Sequence, residues 1–268
     1  MPKTNQIGPK SKKNSINNQR LLTPTTKVSP IREQATACSG QETVYTWAKH
    51  INLKTHNMAN LKEPHQNCPL CPRLHEFRQT NQQAHPTWFN GAVPAFGNMS
   101  AKLLIVGLAP GLQGANRTGR PFTGDYAGDL LYPTLLKFGL AEGTYKAEKE
   151  DGLILKNCRI TNAVRCVPPQ NKPLGDEIKQ CLPFLTSECE NLPNATVIIS
   201  LGRIAHDAVV RSSGGKLKDY KFAHHAQHDL PTGKKMINSY HCSRYNTNTG
   251  RLTTEMFEAV FETATSLL

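Results

Sequence analysis

Four short apolar runs, each ending in a glycine-rich or polar turn, constrain this chain more than any other feature. Lys102 to Val106, within AKLLIVGLAPG, is a compact run that stops at Gly107 and Pro110. Cys158 to Val164, in NCRITNAVRC, alternates less cleanly and stops at Pro168 and Pro169. Thr196 to Leu201, in ATVIISLG, is apolar almost throughout, as a strand covered on both faces should be. Lys235 to Tyr240, in KKMINSY, is the fourth and weakest. Between these runs, Asp129 to Phe138, Asp176 to Glu190 and Ile204 to Arg211 have the amphipathic spacing of helices. Strand, helix and strand in repetition build a parallel sheet with helices on both faces. The expected fold is therefore α/β, a three-layer α/β/α sandwich around a central four-stranded parallel sheet.

In such a fold ligands bind beyond the carboxyl ends of the strands. Every unusual polar segment of this chain falls there. The first, GLAPGLQGANRTGRPFTGD at residues 107 to 125, has glycines that let backbone amides approach a ligand closely. It lacks the GKS or GKT ending of a P-loop and the GxGxxG order of a dinucleotide fold. The others centre on Asn162, on Gly202 with Arg203, and on SYHCSRYNTNTGRLT at residues 239 to 253. All four are expected to line one crevice.

With 268 residues, 38% of them hydrophobic, the chain can bury one sizeable core once a tail is set aside. Residues 1–57 are rich in Asn, Thr, Ser, Lys and Pro, show no apolar period, and read as a disordered tail. Its Lys and Arg outnumber its two acids, Glu33 and Glu42, so it is a candidate basic arm. Alternatively Met58 is the true start, and either way residues 58–268 form the domain. The net charge of +12 fits a surface that binds a polyanion, although a basic tail alone accounts for it equally well. No run approaches the roughly 18 apolar residues of a membrane span, and the N-terminus lacks the apolar core of a secretory signal. An intracellular protein with no membrane partner is expected.

Eight cysteines in a chain of this length fit a ligated metal or cluster better than a secreted disulfide framework. Cys68 and Cys71 form a CPLC pair ahead of the domain, while Cys166 and Cys181 follow the second strand. Four thiolates suit zinc or an iron–sulfur cluster, and spacing does not separate the two. Cys38 lies in the tail, Cys158 and Cys189 read as small core hydrophobes, and Cys242 follows His241.

The segments CPLCPRL, LLIVGLAPGLQGANRTGRPFTGD, ITNAVRCVPPQNKP, EIKQCLPFL and SYHCSRYNTNTGRLT, in this order over about residues 65 to 256, resemble the iron–sulfur uracil-DNA glycosylases. Within them the chain is similar to the family 5, or type b, branch. The related family 4 enzymes carry an acidic residue where this chain has Leu108. One departure is Cys242, where the family usually has proline after the histidine.

The resemblance implies a [4Fe–4S] cluster on Cys68, Cys71, Cys166 and Cys181. It also implies a monofunctional enzyme that flips uracil out of DNA and hydrolyses its N-glycosidic bond, with a range that extends to hypoxanthine and other deaminated or oxidised bases. His241 resembles the histidine that donates to uracil O2, where charge accumulates as the bond breaks. Phe122 resembles the residue that stacks on the base, and Asn162 the one that reads its edge. Gly107 and Asn246 complete the expected substrate contacts. Asn116, with Asp125 as the alternative, is expected to orient the attacking water, and Asp125 equally suits a helix cap. Arg117 and Arg120 are candidate phosphate contacts, and Arg244 and Tyr245 candidates to fill the gap left by the flipped base. The implied partner is DNA containing uracil or another deaminated base, met by a monomer in the cytoplasm at the nucleoid. Two other readings stand beside this one: a family 4-like enzyme confined to uracil, and a non-catalytic iron–sulfur DNA-binding protein.

Overall fold

The computed structural model describes residues 61–268, so the expected tail and the Met58 start lie outside the described residues. In chain order the elements are α1 (Pro72–Ala84), β1 (Phe96–Gly97), β2 (Leu103–Gly107), α2 (Ala115–Thr118), α3 (Tyr126–Lys137), β3 (Ala141–Glu142), β4 (Ile154–Leu155) and β5 (Cys158–Asn162). There follow α4 (Gly175–Glu190), β6 (Val197–Leu201), α5 (Arg203–Ser212), β7 (Gln227–Asp229), β8 (Lys235–Ser239), α6 (Arg244–Asn248) and α7 (Thr254–Ser266).

The four expected strands are β2, β5, β6 and β8, all mutually parallel in the order β5-β2-β6-β8. Each is buried along most or all of its length, which is why its sequence reads as a continuous apolar run. The expected count of four is corrected to six. Short antiparallel strands close the two edges, β1 on β5 and β7 on β8. With two and three residues, neither is long enough to leave an alternating pattern in the sequence.

Alternate side chains of the sheet build two separate cores, as the two-residue period of a strand requires. Leu103, Ile105, Val197, Ile199 and Ile237 face α3 and α7. On the opposite face, Leu104, Val106, Ile198 and Met236 meet α4 and α5. Helix α7, which the strand-and-helix reading left out, buries Phe257, Val260, Phe261 and Ala264 on one stripe, and its first turn is capped by Thr253 Oγ1 accepting from the Met256 amide at 3.2 Å.

A buried charge triad ties β5 to α4. Glu188 has no exposed side-chain surface; it pairs with Arg159 through Arg159 Nε and with Arg165 at 2.9 Å. Arg159 also donates to the Gly97 carbonyl, so one guanidinium joins an edge strand, a central strand and a helix. Removing one partner from such a group leaves uncompensated charge in a low-dielectric interior. Glu188→Ala is expected to cost about 3–5 kcal/mol, read as a fall in the denaturation midpoint. Glu142→Ala, which breaks an exposed pair with Lys156, is expected to change stability by less than about 1 kcal/mol.

Candidate active site and thiol cluster

A cavity of about 390 Å³ opens beyond the carboxyl ends of the parallel strands. Its wall combines Leu108 to Gly111 after β2, Asn162 at the end of β5, and His241, Ser243 and Arg244 after β8. Phe122, Asp125 and Tyr126 close it from the α3 side, and Asn171 from the loop after β5. Three of the four expected segments therefore meet as the sequence indicates. The third does not reach the cavity: Gly202 packs beneath His241, and Arg203 turns to Asp207 at 2.9 Å.

Packing explains the glycines of the first loop. The β2–β5 register sets Gly107 opposite Asn162, and a β-carbon at Gly107 would overlap both the Asn162 amide oxygen and the Phe122 ring. At Gly114 it would overlap the Asp125 carboxylate. Phe122 itself is buried at the cavity wall with a left-handed backbone, φ 53°, an unfavourable conformation for a bulky side chain.

Polar groups at the cavity are incompletely paired. Asn162 Oδ1 and Asp125 Oδ1 are buried without a hydrogen-bond partner. Burial pushes the Asp125 carboxyl up, and the nearby amides of Gly128 and Ala127 only partly offset this. Asp125 also precedes the first turn of α3, but its side chain makes no capping hydrogen bond there. His241 retains some solvent-accessible surface toward the cavity, yet protein encloses it at depth, and that enclosure lowers its pKa to about 4. The imidazole is thus neutral at physiological pH. Its ring centroid lies 6.2 Å from that of Phe122, with the planes 29° apart.

The other expected site residues divide. Arg244 lines the mouth, exposed, with its guanidinium 5.3 Å from the Tyr126 ring centroid, and Tyr245 beside it is 71% exposed. Asn246 fixes the histidine loop, donating from Nδ2 to the His241 carbonyl at 2.8 Å, and does not line the cavity. Asn116 is wholly buried, donates to Asn90 Oδ1 at 2.9 Å, and likewise lies off the cavity wall. Arg117 is half-buried and donates to the Gln113 carbonyl at 2.9 Å. Arg120, expected on phosphate, is instead buried against Asp151 at 2.7 Å, which takes it out of reach of a nucleic-acid backbone. The phosphate expectation failed because a sequence does not reveal an ion partner thirty-one residues away. Asn171 and Tyr126 were missed. Asn171 adopts φ 55° directly after Gln170 at φ 55°, and the only sequence signal is the Pro-Pro-Gln-Asn turn.

Cys68, Cys71, Cys166 and Cys181 line one pocket with Arg165 and Leu74, away from the cavity. The bidentate pair of Arg73 with Glu177, at 2.8 and 2.7 Å, holds the start of α1 against the start of α4 and so brings the CPLC segment to Cys181. Buried Arg78 donates to the Cys68 carbonyl at 2.6 Å. A shared hydrogen bond raises the Cys71 thiol and lowers that of Cys181 to about 7, while burial pushes Cys166 up to about 12 against the opposing charge of Arg78. Among the described residues, no group of three His, Cys, Asp or Glu converges as single-ion ligands do.

Residues 94–265 match the family model of the uracil DNA glycosylase superfamily. A type-5 uracil-DNA glycosylase of Thermus thermophilus is 43% identical over 206 residues, covering 75% of this chain and 93% of that protein. One from Pyrobaculum aerophilum is 36% identical over 203 residues, 74% and 88% of the two chains. A type-4 uracil-DNA glycosylase of the same organism is 34% identical over 169 residues, 62% and 72%. The chain belongs to the uracil-DNA glycosylase superfamily and, within it, to the type-5 enzymes.

Proposed function

We propose that the cavity takes a uracil flipped out of DNA and hydrolyses its N-glycosidic bond. The observation that carries this reading is the pair of unpartnered acceptors, Asn162 Oδ1 and Asp125 Oδ1, in a cavity walled by Phe122 and a neutral His241. Uracil offers the N3–H donor that Asn162 lacks. Phe122, locked in its left-handed turn, supplies a flat apolar face for the ring. Flipping costs a few kcal/mol of lost stacking and pairing, which these contacts offset.

As the bond breaks, the sugar gains positive charge and the departing uracil negative charge. Neutral His241 donates an N–H toward uracil O2, so the developing anion gains a hydrogen bond without requiring an imidazolium. Asp125, which lines the cavity, takes the water-orienting role rather than Asn116, which lies off its wall: the unpaired Asp125 Oδ1 accepts a hydrogen bond from the attacking water, and its charge opposes that of the sugar. Arg244 and Tyr245 at the rim contact the DNA around the extruded nucleotide. The range includes hypoxanthine, whose N1–H presents the same donor to Asn162. As a DNA-repair enzyme the protein acts where the DNA lies, in the cytoplasm at the nucleoid, and in this reading as a monomer. No helix among the described residues is long and apolar enough to cross a membrane.

Cys68, Cys71, Cys166 and Cys181 hold a [4Fe–4S] cluster in this reading. A set of four thiols in one pocket, without a carboxylate or imidazole among its lining residues, suits a sulfur-ligated cluster. When bound, the cluster joins α1, the loop after β5 and α4, and so stiffens the loop that carries Asn171.

His241→Ala is expected to slow single-turnover uracil release by about 10²–10³-fold with little change in DNA affinity. Because the folded pKa lies below the ordinary value, the unfolded chain takes up the proton first. Stability therefore falls as pH drops from the ordinary imidazole range toward 4, and the His241 proton resonances should titrate near 4 by NMR. Cys181→Ala is expected to abolish visible absorbance and cut bound iron and acid-labile sulfide, whereas Cys189→Ala, which removes a thiol outside the cluster pocket, leaves both in place.

A further inference from the structure

The turn that carries Phe122 is braced from behind by residues outside the cavity. Arg120 meets both oxygens of Asp151, at 2.8 and 2.7 Å, and donates from Nε to Thr123 Oγ1 at 2.7 Å. Its guanidinium carbon lies 5.2 Å from the ring centroids of Phe96 and Tyr132. Asp151, in the connection between β3 and β4, is pinned by the amides of Lys146 at 2.9 Å and Leu153 at 3.1 Å. The brace reaches the carbonyls on both sides of the left-handed residue. Tyr132 Oη donates to the Pro121 carbonyl at 2.6 Å, and Tyr145 Oη donates to the Phe122 carbonyl at 3.3 Å. The Gly124 amide in turn donates to Tyr145 Oη at 3.4 Å, and the two tyrosine rings stack with centroids 4.5 Å apart.

A bulky residue at φ 53° persists only where its surroundings over-determine it. Released from these contacts, the Phe122 backbone would relax toward its ordinary regions and carry the ring off the cavity wall.

We infer that Asp151 is a positioning residue for glycosidic-bond cleavage: through Arg120, Tyr132 and Tyr145 it holds Phe122 in the conformation that stacks the expelled base. The β3–β4 segment, with no residue in the cavity wall, thereby sets the orientation of the substrate. The inference rests on the reading of the cavity as a uracil site. Arg120 holds the Asp151 carboxyl well below the usual carboxylate range, so the brace stays charged at any assay pH near neutrality.

The test compares Asp151→Asn and Tyr145→Phe in the native background and in Phe122→Ala, on a uracil-containing duplex. Tyr145→Phe removes a single oxygen and keeps the fold testable should Asp151→Asn not fold. In the native background each variant is expected to slow single-turnover release about ten- to a hundredfold, with DNA affinity kept within about twofold. In the Phe122→Ala background the further loss should be under about threefold, because the residue being positioned is gone. Hydrogen exchange at the Phe122 to Gly124 amides should quicken in both variants and stay unchanged at His241. An equal loss in both backgrounds, unchanged rates, or unchanged exchange at residues 122 to 124 would overturn the inference. Native protein that releases no uracil would instead bring down the functional reading and, with it, the catalytic consequence; the exchange comparison would then decide the brace by itself.

Discussion

The parallel register of β2 with β5 is the constraint on which the site depends. It sets Gly107 directly against Asn162, and the missing side chain at Gly107 leaves room for the Asn162 amide and for the Phe122 ring that closes over it. A slip of one residue would turn Asn162 to the other face of the sheet and put a branched side chain where Gly107 stands. On the other side, the pairing of Leu201 with Ser239 brings Gly202 under the histidine loop and aims His241 at the same space. Asn246 then fixes that loop by its bond to the His241 carbonyl.

The molecule treats polar groups in two contrasting ways. In the scaffold, buried carboxylates are met by guanidinium groups, as in Arg159–Glu188–Arg165 and Arg120–Asp151. At the cavity the opposite holds: Asp125 and Asn162 keep acceptors unmet, His241 is held neutral, and Phe122 keeps an unfavourable backbone. Each unmet acceptor costs about 1–3 kcal/mol. Of the buried polar atoms left unpaired, these two belong to residues that line the cavity, and a flipped nucleobase with its attacking water is the proposed source of the missing donors.

Much of this was legible in the sequence. The four parallel strands are continuous apolar runs because both of their faces are covered, and the polar segments after them mark the mouth of the sheet. Gly107, Phe122, Asp125, Asn162, His241 and Arg244 line or border the cavity where strand ends place them, and the four named thiols share a pocket. Other features were hidden for physical reasons. Edge strands of two or three residues have no period to read. Arg120 looks like a phosphate contact until the fold brings Asp151 to it, and Asn116, expected beside the substrate, is buried off the cavity wall with its Nδ2 on Asn90 and its Oδ1 unpaired. Asn171 enters through a pair of left-handed residues, which composition hints at and only coordinates display.

The central claim is that Asn162 Oδ1 awaits the N3–H of an expelled pyrimidine. The most direct measurement compares release of uracil and of N3-methyluracil from otherwise identical duplexes under single-turnover conditions. The account predicts release of the methylated base more than about a thousandfold slower, since it leaves the buried acceptor unpaired and crowds it with a methyl group. Comparable rates for the two bases would contradict it.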